Sequence, residues 1–268
     1  MPAHRNGPVS FDVRPQMATG LCPLCITPGE LRESHIIPNA YFRAMKRQRA
    51  GRLISFNSLP HTSVRLSNES WSEEMLCGNC EGNLSKLETK CIFSLRRTAR
   101  EIENKSEYGA LLHSFDFNLL SRFLLSVLWR AAISKQEPFA QILLAPEVAE
   151  EIRLSLLNPP APVTKLVHCQ ISKLRDGSGR IPATRFEGVA SSPVAAVHGQ
   201  AVSFTFIFAG YVVRFFIPYI PTKFRGQLGW VKPGRQFFVP TVAMTRVPEL
   251  MQLMVAGHAK ARAGKVAF

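Results

Sequence analysis

Acidic side chains are scarce in this 268-residue chain: 19 Asp and Glu stand against 33 Lys and Arg, leaving a net charge of +14 and a pI near 10. That balance makes a polyanion the natural first partner, although basic charge alone would also suit a membrane surface or an acidic protein. The shortage is uneven. Residues 161–268 hold 3 acidic and 14 basic side chains, against 6 and 4 in 106–160 and 10 and 15 in 1–105. An uninterrupted apolar span is also missing. Leu119–Ile133 contains Arg122 and Arg130 and is too short to cross a bilayer. Ser203–Ile220 alternates about a central Ala209-Gly210 and reads as two strands and a turn. Met1-Pro2-Ala3-His4-Arg5-Asn6-Gly7-Pro8 lacks the apolar stretch of a signal peptide, so the expectation is a cytoplasmic protein with no membrane partner. Neither an internal repeat nor a Gly-rich phosphate loop of the Walker or dinucleotide kind is present.

Cysteine is sparse too, 6 in all. Four of them nevertheless fall into two Cys-x-x-Cys pairs, Cys22/Cys25 and Cys77/Cys80, on either side of residues 26–76. Such pairs form either disulfides or a metal site. With no sign of an oxidising compartment, a structural Zn²⁺ held by four thiolates is the better expectation. A closed four-sulfur site performs no chemistry; it fastens two distant pieces of chain together.

What is abundant is apolar: 46% hydrophobic residues and 18 Phe argue for a well-packed globular protein. Pro38 suits the first turn of a helix running from Asn39 to about Arg49, with Tyr41, Phe42 and Met45 on one side and Arg43, Lys46 and Arg47 on the other. Residues 53–76 hold a strand and a polar loop. A long helix from Cys80 to about Asn104 buries Leu84, Leu87, Cys91, Leu95, Ala99 and Ile102 at helical spacing. Phe117–Ser134 is apolar nearly all round and reads as a central core helix; Pro146–Leu157 is a shorter one. Asn158-Pro159-Pro160-Ala161-Pro162 cannot continue a helix and marks a boundary. Beyond it the period becomes two, with strands expected at about 164–174, 184–189, 194–209, 211–218 and 236–244. A last helix, Pro248 to about Ala261, turns Leu250, Leu253, Met254 and Ala256 inward.

The order Cys22-Pro23-Leu24-Cys25, then Ser34-His35-Ile36-Ile37-Pro38, then Leu76-Cys77-Gly78-Asn79-Cys80-Glu81 resembles the HNH endonucleases of the zinc-stapled type. The likeness covers roughly residues 19–95, and Ser126-Val127-Leu128-Trp129-Arg130-Ala131 is similar to a segment that follows the module in some members. The resemblance implies a ββα-metal, HNH-like module, placed over 1–105. Period, charge and the proline-rich boundary add a helical connector over 106–160 and a basic β-rich region over 161–268, so the chain reads as α+β. The resemblance also implies a metal-dependent nuclease acting on DNA in phage defence or a mobile element. In that family an acidic residue usually precedes the His, where this chain has Ser34. A His or Asn often follows the last Cys, where this chain has Glu81. The middle Asn has counterparts at Asn57 and Asn68.

On that likeness the expected site consists of His35 as general base and a catalytic Mg²⁺ or Mn²⁺. Glu81 is the first candidate ligand, Glu88 the second, and Asn68 would complete the site or orient His35. For Glu81 the alternative is a helix-start carboxylate, and for Glu88 a surface charge paired with Lys. Nucleic-acid contacts are expected from Arg43, Lys46 and Arg47. Further contacts are expected from Arg214, Lys223, Arg225, Lys232 and Arg235, which mingle with Phe215, Phe216, Tyr219, Phe224 and Trp230. A zinc-stapled nucleic-acid-binding or partner-docking protein without catalysis is the competing expectation. A β region that senses a ligand or an activating protein is a third.

Overall fold

The computed structural model describes residues 18–48, 53–56, 64–67, 70–105, 107–113, 116–158, 165–234, 236–262 and 266–267. The class is mixed α+β. The small sheet comes first: β1 (Thr19–Cys22) and β2 (Thr27–His35) form a hairpin through the first cysteine knuckle. α1 (Asn39–Gln48), β3 (Leu53–Phe56) and β4 (Val64–Ser67) follow. β5 (Ser72–Cys77) then returns antiparallel to β2, with Leu31 opposite Cys77 and His35 opposite Ser72. α2 (Gly78–Lys105) begins at the next residue. Hairpin partner, return strand and helix thus meet at the second cysteine pair.

The remaining elements are β6 (Gly109–His113), α3 (Phe117–Ile133), α4 (Pro146–Leu157), β7 (His168–Arg175), α5 (Ala183–Glu187), β8 (Val189–Ser191), β9 (Val194–His198), β10 (Ala201–Phe208), β11 (Tyr211–Ile217), α6 (Thr222–Arg225), β12 (Gln236–Ala243), α7 (Pro248–Arg262) and β13 (Val266–Ala267). They complete a ten-stranded sheet in the order β13-β4-β3-β8-β10-β11-β7-β12-β6, with β9 lying on β10 next to β8. β10 and β11 are the expected hairpin. Its two-residue turn has Ala209 at φ 50° and Gly210 at φ 75°, a conformation in which glycine costs least. Among the described residues no helix is long and apolar enough to cross a membrane.

Several elements differ from the sequence reading. Residues 53–76 hold three strands, and only the last pairs with β2. β3 and β4 cross into the large sheet, where Ile54 lies parallel to Val189. β6 pairs with β12, so the sheet draws strands from all three expected parts of the chain. The strand expected at 184–189 is helix α5, started after Pro182 and ended at Gly188, followed by β8. The strand expected at 194–209 breaks at Gly199 (φ 66°) into the β9–β10 hairpin. On α7, Leu250 and Leu253 are buried as expected, but Met254 is exposed and Ala256 half-buried, because the apolar contact with the sheet spans less of the helix.

α3 runs through the centre with Leu120, Phe123, Leu124, Leu125, Val127 and Leu128 fully buried, as an all-round apolar helix should be. One continuous core joins the cysteine module to the large sheet. The Tyr41 and Phe208 rings lie 5.5 Å apart, and the Tyr211 hydroxyl donates to the Leu95 carbonyl over 2.6 Å. Arg153 of α4 donates to the Leu24 carbonyl at 2.6 Å and ties the first knuckle to the helical layer.

Candidate metal centre and active site

The four expected sulfurs converge: Cys22, Cys25, Cys77 and Cys80 place their Sγ atoms within 4.8 Å of one another. A tetrahedral Zn²⁺ with Zn–S bonds of about 2.3 Å requires S···S edges of roughly 3.8 Å. Cys25 and Cys77 are 3.8 Å apart, far longer than a disulfide, and all described cysteines are free thiols. The local backbone has the knuckle form. The Ile26 N–H donates to the Cys22 carbonyl at 2.8 Å, the Cys77 N–H donates to Cys22 Sγ at 3.3 Å, and Ile26 lies at φ 57°. Hydrogen bonding from Thr27, opposed by burial and aided by the neighbouring thiols, draws Cys25 down to about 6, while burial raises Cys80. The donor set therefore fits a structural Zn²⁺. The first sulfur pair lies at the end of β1 and in the β1–β2 turn, and the second straddles the junction of β5 and α2.

This clasp sets the position of His35, the last residue of β2. The β-bulge between Arg32 and Glu33 shifts the register against β5 just before it. His35 is half-buried, with Nε2 3.1 Å from Ser70 Oγ. Burial lowers its pKa; the Glu33 and Glu81 charges push the other way, and Arg130 and Lys46 add to the lowering. Glu33 is itself held by the Ser72 hydroxyl, which donates to Oε1 at 2.6 Å.

Ser34, on the opposite face of the strand, is fully buried and donates to Glu81 Oε2 at 2.5 Å. Glu81 stands in the first turn of α2 and is half-buried. Two turns on, Glu88 is almost wholly buried against Arg130 of α3, which donates through Nη2 to Glu88 Oε1 and through Nε to the Ser126 carbonyl at 3.2 Å. Burial raises the Glu88 carboxyl above its usual range; Arg130 opposes this and the Glu81 charge reinforces it. Glu88 is thus neither a surface charge nor paired with a lysine: its partner is a buried arginine, bonded to Oε1.

Apart from the cysteines, no group of three or more His, Cys, Asp or Glu ligand atoms converges among the described residues. The Glu81 charge reaches both His35 and Glu88, but the three do not form a ready-made three-ligand site. Asn68, the candidate orienting residue, and Arg235, a candidate phosphate contact, lie outside the described residues, as does the side chain of Arg47. Arg43, Lys223, Arg225 and Lys232 are exposed, and Lys46 is half-buried. Arg214, another residue of that expected set, is almost wholly buried. It pairs with Glu249, Nη2 to Oε2 at 3.0 Å and Nε to Oε1 at 3.2 Å, so its guanidinium is already engaged by a carboxylate.

Compared with protein-family models, curated proteins and solved structures, the chain finds no match in any of the three. What the structure adds to the motif resemblance is the convergence of the four cysteines. Three residues of this neighbourhood escaped the sequence reading: Ser70, Glu33 and Arg130. For Arg130 a signal existed. A cation in the middle of a helix that is apolar on every side must be buried, and a buried cation needs a carboxylate partner.

Proposed function

We propose that this protein is a metal-dependent endonuclease of the HNH type that hydrolyses phosphodiester bonds in DNA. The observation that supports it most is the four-sulfur clasp, which fastens the β1–β2 turn to the β5–α2 junction and so holds His35 within reach of the Glu81 charge. β2, its antiparallel partner β5 and helix α2 meet around that clasp, with α1, β3 and β4 inserted between the two strands, an arrangement compatible with the ββα order the motif resemblance implies.

The neutral imidazole of His35 takes the proton of the attacking water. Its lowered pKa keeps it unprotonated near neutral pH, and Ser70 holds the ring through Nε2. Glu81, steadied by Ser34, supplies the hard oxygen ligand. Mg²⁺ or Mn²⁺ bound there would neutralise charge developing on the leaving oxygen. Exposed Arg43, Lys223, Arg225 and Lys232 contribute to phosphate binding, which depends on salt and not on sequence. The setting we favour is phage defence or a mobile element, with a partner or ligand as activator.

A second function, zinc-stapled DNA binding without cutting, is favoured by two contacts: Ser34 stands where a carboxylate would serve, and Arg130 occupies Glu88. Nicking of supercoiled plasmid with Mg²⁺ or Mn²⁺ separates the two. The nuclease cuts as wild type, and His35→Ala and Glu81→Ala bind DNA without cutting. Retention of plasmid by all three proteins with no nicking by any of them would leave only the binding function.

A further inference from the structure

The face of the large sheet beneath α7 changes character along its length. At one end Leu174, Ile207 and Val212 pack on Leu250 and Leu253. In the middle, Thr205, Arg214 and Gln170 stand opposite one another on β10, β11 and β7, a polar row that is almost wholly buried. Glu249 of α7 answers two of them: Arg214 donates to Oε2 at 3.0 Å and Thr205 to Oε1 at 2.9 Å. Beside the row opens a cavity of about 680 Å³, of the size that holds small molecules. It shares no residue with the His35–Glu81 region, and its one residue in common with the proposed DNA contacts is Lys223, so the proposal does not rest on the nuclease assignment.

Three properties define what fits. The first is charge. Glu249 is the sole acidic residue of the lining and Arg214 already neutralises it. Lys223 and Arg246, also in the lining, have no carboxylate partner among the described residues, so the cavity is cationic. The second is an unmet acceptor. The Gln170 amide donates to the Leu228 carbonyl at 2.8 Å and to Gln227 Oε1 at 3.1 Å. Because a carbonyl only accepts, Leu228 fixes which end of the carboxamide is nitrogen. The Gln170 carboxamide oxygen is then left buried with no partner among the described residues, at a side chain only 3% exposed. A buried acceptor in this state is costly, and a ligand N–H relieves it. The third is an aromatic wall, the rings of Phe224 and His198, 5.2 Å apart.

A phosphate monoester provides the anion for two cations, and a nucleobase provides both a flat ring and N–H donors. We propose that this cavity binds a nucleoside monophosphate, its phosphate on Lys223 and Arg246 and a base N–H on the Gln170 carboxamide oxygen.

The test is calorimetric titration of the full, zinc-loaded chain with dAMP, dGMP, dCMP and dTMP, and with inorganic phosphate as the anion alone. At least one nucleotide binds ~10-fold or more tightly than phosphate, as a satisfied buried acceptor implies. Lys223→Ala/Arg246→Ala, two exposed positions whose loss leaves the melting temperature unchanged, weakens that nucleotide ~10-fold or more. Gln170→Met weakens the nucleotide but not phosphate. No heat with any nucleotide at millimolar concentration overturns the proposal. So does phosphate binding as tightly as the best nucleotide, or an affinity indifferent to the double substitution.

Discussion

The Ser34 hydroxyl donates to Glu81 Oε2 across 2.5 Å, bridging the end of β2 and the first turn of α2. In the zinc-stapled HNH pattern the residue before the histidine is usually acidic. Here a buried hydroxyl stands in its place and steadies the carboxylate on the facing helix. The two residues flank the same strand end as His35, so their contact governs where the proposed ligand oxygen sits.

Ser34→Ala removes that donor and leaves a half-buried carboxylate short of a partner. A hydrogen bond to a charged group is worth about 1.5–3 kcal/mol, which for a chain of this length lowers the melting temperature by roughly 3–10 °C. Differential scanning calorimetry reads the shift. If the contact also positions the proposed ligand oxygen, the variant requires more Mn²⁺ for half-maximal plasmid nicking. A variant as stable as wild type would show that the bridge contributes nothing.

Zinc should be stoichiometric. Elemental analysis of the purified chain is expected to give about one zinc per chain, and Cys77→Ser should lower that content and the melting temperature together. Cys91→Ser is the control, since Cys91 lies in the buried stripe of α2, away from the cluster. A strong chelator should reproduce the effect in wild type and spare Cys77→Ser. Zinc retained in full by Cys77→Ser would contradict the clasp.

The zinc ligands were legible because metal chemistry imposes a spacing: two Cys-x-x-Cys pairs allow few alternatives. The long helices were legible as well, since α2 and α3 announce themselves by stripe and by all-round apolarity. The pairing of strands was not. β3 and β4 are short, lie between the two halves of the cysteine clasp, and join a sheet built mostly from residues after 167. Nothing local distinguishes a strand that stays in its module from one that crosses over, because the choice is made by tertiary packing. Burial of charge was hidden for the same reason. Arg214 looks like a phosphate-binding cation beside Phe215 and Phe216 until Glu249, 35 residues on, is brought against it.

The Glu88–Arg130 pair joins α2 to α3 inside the core, and breaking one side of such a pair costs about 3–5 kcal/mol. Arg130→Met should therefore destabilise strongly, leaving a buried carboxylate unpaired. Glu88→Gln/Arg130→Met should cost well below the sum of the two single changes. A double-mutant cycle in urea measures this. Strict additivity would mean the two side chains do not depend on one another.

His35 has a pH signature whose sign is fixed by its surroundings. Burial lowers its pKa below the ordinary 6.5 or so of imidazole despite the carboxylates of Glu33 and Glu81. The neutral ring is thus favoured by folding. Its stabilising contribution is present above the ordinary value and is lost as the pH falls through the folded one. The acidic limb of nicking rate against pH should accordingly fall below pH ~6.5, where His35 gains its proton and can no longer accept one from water. Glu33→Gln removes the largest charge that holds the pKa up, so the limb should move to still lower pH. Arg130→Met removes a charge that pushes it down, so the limb should move the other way. A histidine proton resonance followed by NMR in each variant gives the same pKa without relying on catalysis. Were the limb to lie above pH ~6.5, or Glu33→Gln to raise it, the group that titrates in the rate would not be His35.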